Sequence, residues 1–197
     1  MPSPALRSLA VLALLLLASG ARGQRVYLGD AVDRSFAVSA SAAFAQGEAA
    51  PGASAVVSAT RWLDVQAGVV RLPDDRFTSL FASASVWLSP SGPTRASVSG
   101  AVQTLPQRDG EYLLSVTGGA GFPRPIASGV SFVPQAAMTL STPTKGGLAP
   151  EATFSGAAGL TLETAGGHIV LEPSVAYAVV SESLAGAVSL GLVVPFE

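Results

Sequence analysis

The 197-residue sequence contains no cysteine, and it has a single lysine, Lys145, and a single histidine, His168. Without cysteine, the chain can form no disulfide framework and offers no thiol for attachment of a lipid. A formal net charge of -2 with one lysine supplies no basic stripe, which is the electrostatic footprint of a nucleic-acid-binding protein. We therefore expect no nucleic-acid partner.

Charged residues are also scarce. They make up 12% of the chain, against about 25% in soluble domains, and the mean hydropathy is +0.48. Beyond residue 23, however, Ser, Thr and Gly interrupt every apolar run, so that no segment is apolar enough for a membrane helix. High hydropathy without a hydrophobic helix is typical of strands that alternate apolar and small polar residues in a membrane.

The longest apolar run lies near the start of the chain, over Leu9–Ala18, and Arg7 precedes it. The small residues Ala21 and Gly23 follow, three and one positions before Gln24. This pattern predicts a secretory signal peptide over residues 1–23. The alternative, an uncleaved anchor, would need about 20 apolar residues to span a bilayer. Residues 24–197 fit one domain, either a soluble exported β-domain or a barrel in an outer membrane.

The segment Leu184–Phe196 alternates with period two. A soluble strand buries its apolar face against a second layer, whereas a membrane barrel turns that face to lipid and keeps small polar residues inside. Nearly every other segment shows the same split. The sequence therefore predicts an all-β fold: a closed antiparallel up-and-down transmembrane β-barrel with short turns and loops over residues 24–197. One face of this last segment carries Leu184, Val188, Leu190, Leu192, Val194 and Phe196, and the other carries Ala185, Ala187, Ser189 and Gly191.

The number of strands depends on Arg61. If Ala53–Val69 were one strand, Arg61 would face lipid, at a cost of roughly 2–4 kcal/mol near the bilayer centre. A tight turn at Thr60–Trp62 avoids that cost and places Trp62 at the membrane interface. With this turn the chain has about ten strands, and eight is the main alternative. Both agree with the even strand numbers of single-chain bacterial barrels.

Three other segments are less regular. In Phe77–Leu88, aromatic residues occupy one set of alternate positions and aliphatic residues the other, so that both faces of the strand carry large apolar side chains. This indicates either a bulge or inward-packed aromatics. A proline-rich turn is predicted at Phe122–Pro125. Pro134 and Pro173 fall inside strands, where a missing N–H donor weakens the ladder, so we expect a bulge or a strand end at each.

The polar and charged residues on the small-residue face are the candidates for the lumen. Small barrels of about eight strands fill their interior with side chains, and wider barrels leave water. The neighbouring inward residues are small and fill space poorly. A narrow water-filled passage and a plugged lumen with paired charges both remain open. The candidates are Asp64, Gln66, Arg95, Gln103, Glu111, Gln135 and Glu172.

No catalytic residue, metal site or cofactor site is predicted, and we expect no enzyme. His168 follows a Gly-rich turn and has no acid at a telling spacing, so it is interpreted as a turn or rim residue. Asp74 and Asp75 lack a third ligand at calcium-binding spacing. The glycines of Gly118–Gly121 do not precede a helix and form no phosphate-binding loop.

A family resemblance lies in three stretches, Thr60–Val69, Ser131–Ala136 and Gly191–Phe196. In them the chain resembles the small porin-like outer-membrane β-barrel family of Gram-negative bacteria. The resemblance implies a place in the cell outer membrane, after export through the periplasm, and contacts with outer-membrane lipids. It also implies that the barrel assembly machinery reads Phe196 as part of an assembly signal. This chain differs from the family pattern by Pro195 before that aromatic and Glu197 after it.

Three functions follow as expectations. The first is a narrow passive channel for small solutes or ions. The second is a non-conducting structural barrel of the cell envelope with a plugged lumen. The third is a soluble secreted β-sandwich.

Overall fold

The computed structural model describes residues 27–28, 32–45, 47–71, 78–105, 110–145 and 149–196. Its strands form a single antiparallel sheet. The predicted signal peptide lies outside the described residues. The strands are β1 (Arg34–Ala45), β2 (Glu48–Thr60), β3 (Leu63–Arg71), β4 (Thr78–Trp87), β5 (Arg95–Thr104), β6 (Tyr112–Gly121), β7 (Arg124–Ala127), β8 (Val130–Pro143), β9 (Glu151–Thr164), β10 (Gly167–Ala178) and β11 (Ser183–Phe196).

The sheet closes on itself. Consecutive strands pair with each other from β1 through β6 and from β8 through β11. The pairing of β1 with β11 and that of β6 with β8 complete the ring. The barrel has ten strands and the short additional strand β7, so the prediction of about ten strands is confirmed and the alternative of eight is wrong. A β-sandwich is also wrong, because one closed sheet replaces two packed ones. We call the end that holds Arg34 and Phe196 the terminal end.

Strand β7 continues the line of β6 along the same edge of β8. Pairs of β6 with β8 end at Gly121↔Gln135, and pairs of β7 with β8 begin at Arg124↔Phe132. Between them, the backbone N–H of Phe122 donates to the carbonyl of Pro134 at 3.0 Å. The predicted turn at Phe122–Pro125 is therefore wrong. The prolines interrupt the ladder because they lack an N–H, but the chain turns only at residues 128–129.

The turn at Arg61 is confirmed. Arg61 and Trp62 connect β2 to β3, and the pairing of these strands shifts register between Ser58 and Thr60. The Trp62 N–H donates to Thr60 Oγ1 at 3.1 Å. Exposed Arg61 forms an ion pair with Asp33 at 3.2 Å. The guanidinium thus lies at the terminal end of the barrel and not on its apolar wall.

The ambiguous segment resolves into β4 without a bulge, because its pairings with β3 and β5 keep one register throughout. Phe81 and Trp87 point inward and are buried. The interpretation with inward-packed aromatics is confirmed, and Phe77 lies outside the described residues.

The two prolines inside strands behave differently. Pro134 lies near the terminal end of β8, where the neighbour of that strand changes from β7 to β6. Pro173 lies in the middle of β10, where pairs to β9 are missing between Leu171 and Ser174 although the register is unchanged. The expectation of a bulge or strand end is wrong for Pro173. The missing N–H interrupts the ladder locally without the insertion of a residue.

Large apolar side chains cover the outside of the barrel, and exposed aromatic residues form two rings on it. This is the surface of a transmembrane barrel, with an apolar band between two aromatic girdles. The connections between strands are short, and the longest of them have seven residues, as in 88–94. The terminal girdle contains Phe36, Trp62, Phe132 and Phe196, and the opposite girdle contains Phe44, Tyr112, Phe154 and Tyr177.

Candidate functional site: the barrel lumen

The structure places all seven candidate polar residues in the interior, each at most 7% exposed. They fall into two groups along the barrel axis. Gln103 and Glu111 lie near the end opposite the termini. The other five, Asp64, Gln66, Arg95, Gln135 and Glu172, lie in the terminal half.

A chain of hydrogen bonds crosses the inner face from β1 to β4. The hydroxyls of Ser39 and Ser54 are 2.9 Å apart, and Gln66 Nε2 donates to Ser54 Oγ at 3.0 Å. Ser83 Oγ donates to the other end of the same amide, Gln66 Oε1, at 3.4 Å. The side chain of Gln66 therefore joins three strands, because its amide both donates and accepts.

Trp87 supplies a polar contact that sequence reasoning missed. Its indole N–H donates to Asp64 Oδ2 at 2.9 Å, and both side chains are only 2% exposed. The sequence signalled the inward aromatic but not its partner. A buried carboxylate needs such donors, because burial without hydrogen bonds costs several kcal/mol, roughly 2–7 even for a neutral polar group.

Hydroxyl pairs reinforce the seam where β6 meets β8. Ser115 and Ser141 approach to 3.0 Å, and Thr117 and Thr139 to 2.8 Å. All four side chains are buried. The closure of the barrel is therefore secured by side chains as well as by the backbone ladder.

The segment Tyr27–Leu28, which precedes β1, lies inside the terminal mouth of the lumen. Gln135 Nε2 contacts both Tyr27 Oη at 2.5 Å and Glu172 Oε2 at 2.8 Å. Arg95 Nη1 donates to the carbonyl oxygen of Leu28. Sequence reasoning missed this segment, because it lies outside the alternating strands and carries no motif.

An apolar layer, which we call the cap, lies inside the barrel near the end opposite the termini. It combines alanines with three larger side chains, and it lies across strands β1 to β4, β6, β10 and β11. The sequence showed small inward residues here but not that they meet. Its members are Ala43, Ala45, Ala50, Val70, Phe81, Leu113, Ala176, Ala178, Ala185 and Ala187.

Between the cap and the terminal mouth, part of the inner wall remains partly exposed although it faces inward. These residues are small, which leaves space in the middle of the lumen. They are Ser39, Ser41, Ser54, Ser174 and Ser189, on β1, β2, β10 and β11.

Two other sequence candidates lie at the terminal end of the barrel. His168 follows the turn at residues 165–166 at the terminal end and is half-buried on the inward face. Phe196 points outward, is 45% exposed, and pairs with Arg34 on β1. Asp74 and Asp75 lie outside the described residues.

Within the described ranges, no three His, Asp or Glu side chains group closely enough to hold a metal ion. No helix long and apolar enough to cross a membrane occurs in the part of the chain that the structure describes.

No protein-family model matches the sequence, and no curated protein matches it either. Among solved structures, the chain is similar to the KdgM porin, with 7% identity over 82% of this chain and 99% of that one and a TM-score of 0.48. It is also similar to the translocator domain of autotransporter NalP from Neisseria meningitidis, with 10% identity, 97% of both chains covered and a TM-score of 0.45. Neisserial surface protein A shares 14% identity over 83% of this chain and 96% of its own, with a TM-score of 0.38. At these values the likeness concerns architecture alone.

Proposed function

We propose that the protein is an integral barrel of the bacterial outer membrane whose lumen is closed, so that it serves the cell envelope as a non-conducting structural element. The apolar outer wall between two aromatic girdles supports the membrane location. With an even number of strands, both termini lie on one side of the membrane, which for an exported chain is the periplasmic side. Outer-membrane lipids and the barrel assembly machinery are the partners that this location requires.

The observation that carries the proposal is the cap. Val70 and two of its alanines have no exposed surface, and Phe81 and Leu113 are at most 7% exposed. A passage for water or ions would leave inward side chains exposed at every level of the barrel. The side chains of the cap offer a hydrated ion no polar group to replace its water. Gln103, the polar residue paired with Phe81, donates instead to Ser79 in the wall at 2.8 Å.

The polar half of the lumen supports the same conclusion. Charged and amide groups in a conducting pore face water, whereas Asp64 and Glu172 are bonded to Trp87 and Gln135 in the wall. Each of these four side chains is buried. Their hydrogen bonds join different strands of the wall, because Asp64 and Trp87 lie on β3 and β4, and Gln135 and Glu172 lie on β8 and β10.

The second candidate is a narrow passive channel for small solutes or ions. It is supported by the partly exposed serines in the middle of the lumen, such as Ser41 and Ser189. For this function the cap would have to open.

Planar-bilayer recording in potassium chloride separates the two functions. We expect the purified full chain to insert without single-channel steps, and its insertion is checked by migration on unheated gels. As a matched control, the triple variant Phe81→Ala/Leu113→Ala/Tyr27→Ala removes a large side chain from both ends of the lumen and is expected to conduct. Reproducible steps from the unmodified chain would overturn the closed-lumen proposal in favour of the channel.

A further inference from the structure

We propose that Tyr27–Leu28 is a built-in plug: it seals the terminal mouth by docking in a fitted site of the inner wall, and its release opens a polar chamber there while the barrel stays intact. This inference rests on the proposed function, because the chamber is a closed compartment only if the cap seals the other end. Tyr27–Leu28 is called the plug below.

The wall contains a position shaped for the Tyr27 ring. A Cβ atom added to Gly159 would meet Tyr27 before any other residue, closer than 3.0 Å to both its ring and its hydroxyl oxygen. Only glycine leaves this space on β9. The ring packs on Trp87 and Val133, which are almost completely buried, and Gln135 on β8 bonds the phenol oxygen.

Leu28 occupies a second, apolar position. It is 2% exposed and packs with Ala37, Val170 and Val193, which come from β1, β10 and β11. Arg95 on β5 holds the adjacent backbone carbonyl. The plug therefore contacts seven of the ten barrel strands, β1, β4, β5 and β8 to β11, as a seal requires.

The plug is not part of the sheet. The pairing of β1 with β2 begins at Ser35 and that with β11 begins at Arg34, both after the plug. Its contacts with the wall are side-chain packing and side-chain hydrogen bonds, and no backbone ladder would break on release. Segments with few backbone hydrogen bonds open at a lower free energy than the sheet that surrounds them.

Release would expose polar wall to water. A small cavity already adjoins the plug's position. Its lining combines the polar side chains of Arg95, Ser97, Thr117 and Gln135 with Trp87 and with small residues of β6 and β8. Together with Asp64 and Glu172, these side chains would form a chamber that admits small polar solutes and ends at the cap.

Thiol labelling tests the proposal, because the natural chain has no cysteine. Val170→Cys places one thiol beneath Leu28, and a charged, membrane-impermeant maleimide probes it in the purified full chain. Gly159→Val fills the position of the Tyr27 ring, and Tyr27→Ala/Leu28→Ala removes the plug's side chains. Gly156→Ala, an outward change on the same strand where a Cβ makes ordinary contact, is the matched control. Arg61→Cys, at the exposed turn between β2 and β3, gives the labelling rate of an exposed thiol for comparison.

We expect the thiol at 170 to react slowly in the unmodified and Gly156→Ala backgrounds and about tenfold or more faster in either plug variant. Fast labelling with the plug intact would overturn the proposal, and so would slow labelling in both plug variants when unheated gels show folded barrels. Conductance is read separately. Slow labelling together with conductance would leave the plug docked but contradict both the closed lumen and the seal at the mouth. Fast labelling of a silent barrel would contradict the plug alone.

Discussion

The ring of Phe81 lies over Gly68, its cross-strand partner on β3. A Cβ atom at position 68 would come closer than 3.0 Å to both that ring and the carbonyl oxygen of Ala53. An aromatic residue is thus accommodated inside a narrow barrel because the residue opposite has no side chain. The same contact places Phe81 in the cap.

Gly68→Ala is therefore expected to destabilise the barrel by about 1–3 kcal/mol, the usual cost of overpacking. The backbone oxygen of Ala53 cannot move aside without disturbing β2. The measurement is the urea midpoint for loss of β-sheet circular dichroism in detergent. Gly118→Ala is the matched control, because an added Cβ there meets nothing within 4 Å. Equal midpoints for the two variants would show that Phe81 does not occupy this space.

Trp87→Phe removes the indole N–H that bonds Asp64 and keeps most of the aromatic volume. We expect a loss of about 1.5–3 kcal/mol in unfolding free energy, the range for a hydrogen bond to a charged group. The same substitution in an Asp64→Asn background should cost less, because the carboxylate is already gone. If the cost is the same in both backgrounds, the two side chains are not coupled.

The outer wall can be tested at Leu190, which is 56% exposed in the middle of β11. Leu190→Arg places a charge in the apolar band, where the cost is roughly 2–4 kcal/mol near the bilayer centre and roughly 0–1 near the interface. We expect little folded barrel in the membrane fraction, measured by migration on unheated gels. Thr60→Arg, at the terminal turn, should assemble normally. Normal assembly of Leu190→Arg would mean that this wall does not face lipid.

Phe196→Ala tests the assembly signal that the family resemblance implies. The side chain lies outward on the last strand, at the seam where β11 meets β1. We expect less inserted barrel with unchanged export, measured as the ratio of membrane-inserted to periplasmic protein. Phe36→Ala removes a similarly exposed aromatic from the same girdle and is expected to have a smaller effect. Equal effects would indicate general loss of apolar surface and no terminal signal.

Much of the barrel could be read from local sequence. The alternation along β11 determines which side chains face outward, because successive side chains in a strand point to opposite faces. The Arg61 turn followed from the cost of a charge in lipid, and the inward parity of Asp64, Arg95 and Glu172 followed from the same alternation.

Only the tertiary structure decided which side chains contact each other inside the barrel. The alternation of β4 left Phe81 and Trp87 open to two interpretations. The pairing of Phe81 with Gly68 and the hydrogen bond from Trp87 to Asp64 settled them. Likewise, the docking of Tyr27 on Gly159 and the meeting of alanines in the cap join residues far apart in the chain. Period-two alternation is a property of one strand, whereas contacts across a lumen depend on how every strand is aligned with the next when the sheet closes.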